Sequence, residues 1–155
     1  MKNSGIKRIL IARFGPKEDL LASLENFTKK ENIKSGVILS GVGSVEKTCI
    51  RNPKGIAPSF PITDNYRYIK EYNDAGELNS LSGNIALSPD GDVIVHAHVT
   101  VSLGNSEGKV VGGHLAYGTI IYSTAEIIIA ELSNIILLRK NDPLTKMLEL
   151  STELD

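Results

Sequence analysis

Apolar and polar positions alternate from the start of the chain. Over residues 6–14, Ile9, Ile11 and Arg13 fall on one face and Arg8, Leu10 and Ala12 on the other, a period of two that predicts a β-strand. Gly15-Pro16 ends it, and the period lengthens: Leu20, Leu21, Leu24 and Phe27 recur at helical spacing. Lys17-Glu18-Asp19 stands where a helix dipole favours acids, and Lys29-Lys30 where it favours bases, so an amphipathic helix is expected between them. Residues 36–40 predict a second strand, closed by a turn at Gly41-Val42-Gly43. Pro53, Gly55, Pro58 and Pro61 mark residues 47–60 as an irregular loop. Strands are expected again over 66–72 and 81–87. Pro89-Asp90-Gly91 is a tight-turn signal that would join 81–87 to 93–103 as a hairpin. Gly104 to Gly108 is a further turn, after which the chain returns towards the sheet, and segments 118–121, 125–132 and 135–138 complete a strand-rich second half. The expected class is α+β, a largely antiparallel central sheet with short flanking helices, in one domain over residues 1–155.

Composition narrows the function classes. The 155 residues are 41% hydrophobic and 23% charged, which suits a globular domain rather than a disordered chain. Seventeen Lys and Arg against eighteen Asp and Glu leave a net charge of −1, against the basic excess of a phosphate-tracking surface. The basic candidates Lys2, Lys7, Arg8, Lys29, Lys30, Arg139 and Lys140 are scattered. A single cysteine, Cys49, excludes an internal disulfide and a thiolate zinc cluster, and neither it nor Ser40 or Ser44 has an evident paired base. No signal-peptide pattern opens the chain, and the apolar run from Thr119 to Leu138 is interrupted by Glu126 and Glu131. A soluble cytoplasmic protein is expected, with no membrane partner.

The three histidines all lie between residues 96 and 114. In a strand over 93–103, Val93, Val95, Ala97, Val99 and Val101 form an unbroken apolar face. The opposite face carries His96 and His98 two residues apart, so their imidazoles can converge on one ion. His114 follows a turn and Gly112-Gly113, where side-chain-free backbone permits a close approach. An antiparallel return would bring it back to the pair. Three neutral imidazoles suit zinc or another divalent transition metal and leave a coordination position open for water or substrate. Glu126, an acid within an apolar strand, is the candidate fourth ligand or catalytic acid–base; a charge partner or an edge-strand charge explains it equally well.

Leu81-Ser82-Gly83-Asn84-Ile85, Asp90-Gly91, His96-Ala97-His98-Val99, the run Gly108 to Leu115 that ends in Gly-Gly-His-Leu, and Thr124-Ala125-Glu126 together resemble the PPC domain. This is the plants-and-prokaryotes conserved domain, also called PD1-like or AT-hook-associated. The order and spacing match across the second half, and the first strand and helix match more loosely. The resemblance implies a central antiparallel sheet assembled as a homotrimer, and zinc on the histidines matching His96, His98 and His114. In plants the domain follows AT-hook motifs that bind DNA, and it contacts transcription factors. Here no Arg-Gly-Arg-Pro core is present, and of the plant interaction segment Gly-Arg-Phe-Glu-Ile-Leu only Glu77 is kept, within Asp74-Ala75-Gly76-Glu77-Leu78-Asn79. Two functions follow as expectations: a metal-dependent site for a small molecule, and a DNA-associated or regulatory trimer without enzymatic activity.

Overall fold

The computed structural model describes residues 3–151. Gly5–Phe14 (β1) leads to the helix Leu20–Lys30 (α1) and the long strand Gly36–Pro53 (β2). Arg67–Tyr72 (β3), Gly76–Leu87 (β4), Val93–Leu103 (β5), Lys109–Leu115 (β6) and Ile120–Ser133 (β7) follow. Arg139–Asn141 (β8) and Leu148–Leu150 (β9) form a small terminal hairpin. The main sheet runs β1-β7-β2-β4-β5-β6, with every pair of strands antiparallel and β3 added along the second half of β2. A further pairing, Ile50 with Leu115 and Arg51 with His114, joins β2 to β6 and closes β2, β4, β5 and β6 into a ring.

Among the described residues, one α-helix flanks the sheet where several short ones are expected; the other helical segments there are single 3-10 turns at Asp64–Tyr66 and Gly104–Ser106. The helix starts one residue after the acidic run because Asp19 is its N-cap. One carboxylate oxygen accepts from the Ala22 N–H at 3.0 Å, and the other accepts from the Gly118 N–H at 2.6 Å. The left-handed Asn32, φ 53°, ends it, with its N–H on Lys29 and that of Ile33 on Thr28. Leu20, Leu21 and Leu24 are buried, and α1 lies mainly against β5. Each such leucine contributes about 1.5–3 kcal/mol of burial. They share one core with Val95, Ala97, Val99 and Val101, so the apolar face of β5 is its core face, as its alternation predicts.

Three expectations about the strands are corrected. Gly41-Val42-Gly43 is not a turn, because β2 runs through it. A Cβ on Gly41 would sit 2.6 Å from Leu81 Cβ, and one on Gly43 would sit 2.1 Å from the Thr124 carbonyl, so neighbouring strands and side chains close in here. Residues 47–53 are likewise strand rather than loop, held by β3 and β6 despite Pro53. Residues 135–138 form no strand beyond a single bridge from Leu138 to Leu87. Residues 120–133, in contrast, are one continuous strand. Its apolar run reflects a position between β1 and β2, and its buried Glu131 receives Lys7 at 2.8 Å and Arg8 at 2.5 Å. Burial pushes this carboxyl up, but the hydrogen bonds from Lys7 and Arg8 outweigh burial and hold it below its ordinary value. No described helix is long and apolar enough to cross a membrane.

Candidate metal centre

The sheet register assembles the site. Residues directly opposite each other in paired strands share a face. His98 stands opposite Ser82 on β4 and opposite His114 on β6, and His114 stands opposite Arg51 on β2. Ser82, His98, His114 and Arg51 therefore form one row across four strands, on the side of β5 away from its core face. His96 joins the row from two residues up its own strand, opposite Asn84. The pairing of β2 with β6 brings Arg51 to the row, although the prolines that follow it predict a loop there.

The three imidazoles converge as their spacing predicts. Ring centroids lie 5.3 Å apart for His96 and His98, 4.8 Å for His96 and His114, and 5.4 Å for His98 and His114. One ligand nitrogen from each falls within 4.8 Å of the other two. The Nε2 atoms of His96 and His98 are 3.3 Å apart. A tetrahedral ion with metal–nitrogen bonds of about 2.0–2.1 Å needs about 3.3–3.4 Å between ligand atoms. The donor set thus fits a borderline divalent metal. His96 and His114 are half-buried and His98 is exposed, which leaves one side of the cluster open.

The hydrogen bonds fix the imidazole protons. Arg51 Nη2 lies 3.1 Å from His114 Nε2, and Arg139 Nη2 lies 2.9 Å from His96 Nδ1. A guanidinium only donates, so both ring nitrogens accept. Neutral His96 then carries its proton on Nε2, directed at His98 Nε2. Arg139 also donates to Asn84 Oδ1 at 2.7 Å. Burial, and then the nearby guanidinium of Arg51, push the His114 pKa down to about 4; burial and Arg139 push His96 down as well. Both rings are neutral at pH 7, the form a metal requires.

These shifts set a pH dependence. An imidazole with a folded pKa below its unfolded value binds fewer protons when folded, so stability rises with pH across that interval. For His114 the interval runs from 6.5 down to about 4. Metal-free protein is expected to lose melting temperature as pH falls through this window, and His114→Gln should flatten the profile. Thermal melts from pH 7.5 to 4.5 check this. A variant profile as steep as that of the wild type contradicts it.

The cluster forms one wall of a cavity of about 450 Å³, which is completed by the terminal hairpin through Arg139, Met147, Leu148 and Glu149. Glu126 is not brought here. It is exposed on β7, between Arg13 of β1 and Val42 of β2, and does not line the cavity. The Gly112-Gly113 approach is real, but the group that approaches is the Asn52 side chain. Its Nδ2 donates to the Gly112 carbonyl at 2.9 Å, and its Oδ1 lies 2.1 Å from where a Gly113 Cβ would be.

Residues 1–133 match the family model of the Plants and Prokaryotes Conserved (PCC) domain. The chain belongs to this family. The PPC domain, to use its other abbreviation, also accounts for the structural likenesses. A plant- and prokaryote-conserved protein from Pyrococcus horikoshii shares 31% identity at a TM-score of 0.76, covering 97% of this chain and 98% of the other. A metal-containing protein from Archaeoglobus fulgidus has 24% identity and a TM-score of 0.78, covering 97% and 99%. A candidate DNA-binding protein from Bacteroides thetaiotaomicron has 24% identity and a TM-score of 0.74, covering 96% of each chain. The last two likenesses establish the fold alone. Among curated proteins, the bifunctional protein GlmU of Synechococcus sp. (strain JA-3-3Ab) is 35% identical over 150 residues, 97% of this chain but 21% of the relative. The chain thus spans about one fifth of the length of the curated relatives it matches.

Nothing in the sequence pattern marks Arg51 and Asn84, within the matched domain, or Arg139, beyond it, as site residues. In the sequence Arg139 is one of several scattered bases, yet it is 5% exposed. Of the other basic candidates, Lys7 and Arg8 are committed to Glu131, and Lys2 lies outside the described residues.

Proposed function

We propose that this PPC domain holds one divalent metal, zinc or a close analogue, on His96, His98 and His114, and that the metal serves chemistry on a small molecule bound in the adjoining cavity. The observation that carries this reading is the convergence of three imidazoles, two of them held neutral, beside an open cavity. The Archaeoglobus protein of the same fold, named as metal-containing, supports it. Such a metal supplies Lewis acidity, polarising a bound oxygen or lowering the pKa of a bound water. The protein's own contribution is to fix the rings through the sheet register and to shield one side with the terminal hairpin. A close match to one metal per chain in untagged protein, with negligible metal in a triple variant of the three histidines, is the expected result of elemental analysis. Equal, negligible metal in both overturns the reading.

The assembly proposed is a homotrimer. Ile9, Ile11, Val42 and Ile128 are exposed on neighbouring strands β1, β7 and β2, with Ile11 76% accessible, and Arg13 and Glu126 lie among them. A second copy of the chain is the occupant that suits an apolar sheet face of this kind. Light scattering should return three times the chain mass; a monomer contradicts the trimer.

The second reading is a DNA-associated regulatory module, favoured by the name of the Bacteroides neighbour. The charge balance opposes it. Duplex binding that weakens steeply with salt would support it, and no retardation at low salt would discard it.

A further inference from the structure

Among the described residues, the cavity beside the imidazoles is lined by three arginines, Arg51, Arg67 and Arg139, against one carboxylate, Glu149. None of the three arginines is ion-paired among the described residues. Arg67 spends its hydrogen bond on the sulfur of Met147, a weak acceptor. Arg139 is the most telling. It is 95% buried, it donates through Nη2 to the neutral Asn84 and His96, and its Nε is buried with no partner among the described residues. Of the described carboxylates only Glu149 counters the cost of burying its charge, from a distance beyond an ion pair. A buried cation in this condition is built for an anion that the described residues do not supply.

The proton inventory of the histidines points the same way. Arg51 and Arg139 now donate to imidazole nitrogens, and each lone pair they use is lost to them if the cluster takes a cation. On a ligating neutral His114, Nε2 either holds the metal or carries the ring proton, and in neither case accepts from Arg51. His96, ligating through Nε2, must carry its proton on Nδ1, where it faces the Arg139 donor instead of accepting from it. Both guanidiniums then need new acceptors, in a cavity whose charge has become more positive. An oxyanion satisfies both. The apolar wall of Ile62, Ile94 and Met147 gives the rest of the molecule its place.

Resting on the metal reading above, we infer that Arg51 and Arg139 form an oxyanion-binding pair, that the small molecule of this site carries a carboxylate or phosphate group on an apolar body, and that it binds cooperatively with the metal. Arg139 belongs to the terminal hairpin, beyond residue 133 where the family match ends.

The test uses benzoate, phenyl phosphate and the neutral analogue benzamide, titrated calorimetrically into the full chain with and without zinc. At least one oxyanion should bind the zinc-loaded protein about tenfold or more tightly than benzamide, and which one does so separates carboxylate from phosphate. Arg139→Gln and the exposed Arg51→Gln, each compared with the wild type at saturating zinc, should weaken that binding about tenfold or more. By linkage, the bound oxyanion should raise zinc affinity by the same factor that zinc raises oxyanion affinity. Equal affinity for oxyanions and benzamide, or wild-type oxyanion affinity in Arg51→Gln, overturns the pair. Matching oxyanion affinity with and without zinc overturns the cooperativity. Protein that takes up no zinc yet binds an oxyanion through Arg51 and Arg139 overturns the metal reading and leaves the pair standing.

Discussion

Replacing His98 by alanine is expected to lower zinc affinity about a hundredfold or more while leaving the melting temperature of the metal-free protein nearly unchanged. Loss even of a group that only orients a metal ligand costs about 10–100-fold in affinity, and a ligand itself contributes more. The stability side follows from position. His98 is exposed and lies on the face of β5 away from the core, between Ser82 and His114, so its removal empties no packed volume. The same change at His96 or His114 releases the Arg139 or Arg51 contact as well, which makes His98 the cleaner test. Competition with a chromophoric chelator measures affinity, and a thermal melt in chelator measures stability. Unchanged zinc affinity would remove His98 from the ligand set.

The second large effect is expected at Gly83. A Cβ there would sit 2.1 Å from the His96 carbonyl oxygen and 2.7 Å from the Ala97 Cα. Both neighbours are backbone, so no side-chain rotation relieves the clash, and β4 and β5 must separate where Gly83 faces Ala97. Gly83→Ala should therefore destabilise the fold by about 1–3 kcal/mol, the range of an overpacked interior. It should also lower metal affinity, because the strand that moves carries His96 and His98. Urea unfolding and the same chelator competition read both effects. Wild-type stability with intact zinc affinity would show that β4 and β5 are not held in this contact.

Much of this was legible in the sequence where local chemistry decides it. The alternation of Val93 to Val101 set the core face of β5 and hence the face of His96 and His98, and the turn at Gly104 to Gly108 returned His114 opposite His98. Pro89-Asp90-Gly91 likewise gave the hairpin of β4 and β5, with Leu87 opposite Val93. What the sequence hid depends on partners distant in the chain. Gly41 and Gly43 read as a turn because glycine signals equally a bend and a close approach, and only the crossing of Leu81 and Thr124 decides between them. Arg51 was hidden by the prolines around it, since its strand exists only through pairing with β3 and β6. Arg139 and Asn84 meet across 55 residues, and no local pattern marks a buried arginine that short strands carry back over a cavity. Glu126 shows the reverse case, where the structure favours the charge-partner alternative. An acid in an apolar run looked like a site residue, yet its strand alternates and places it on the exposed face beside Arg13.

Anomalous diffraction at the zinc edge from crystals of zinc-loaded protein tests the central claim most directly. A single strong peak per chain within about 2.0–2.1 Å of one nitrogen from each of His96, His98 and His114 is the predicted result. A peak elsewhere, or no peak above background at the three rings, would contradict it.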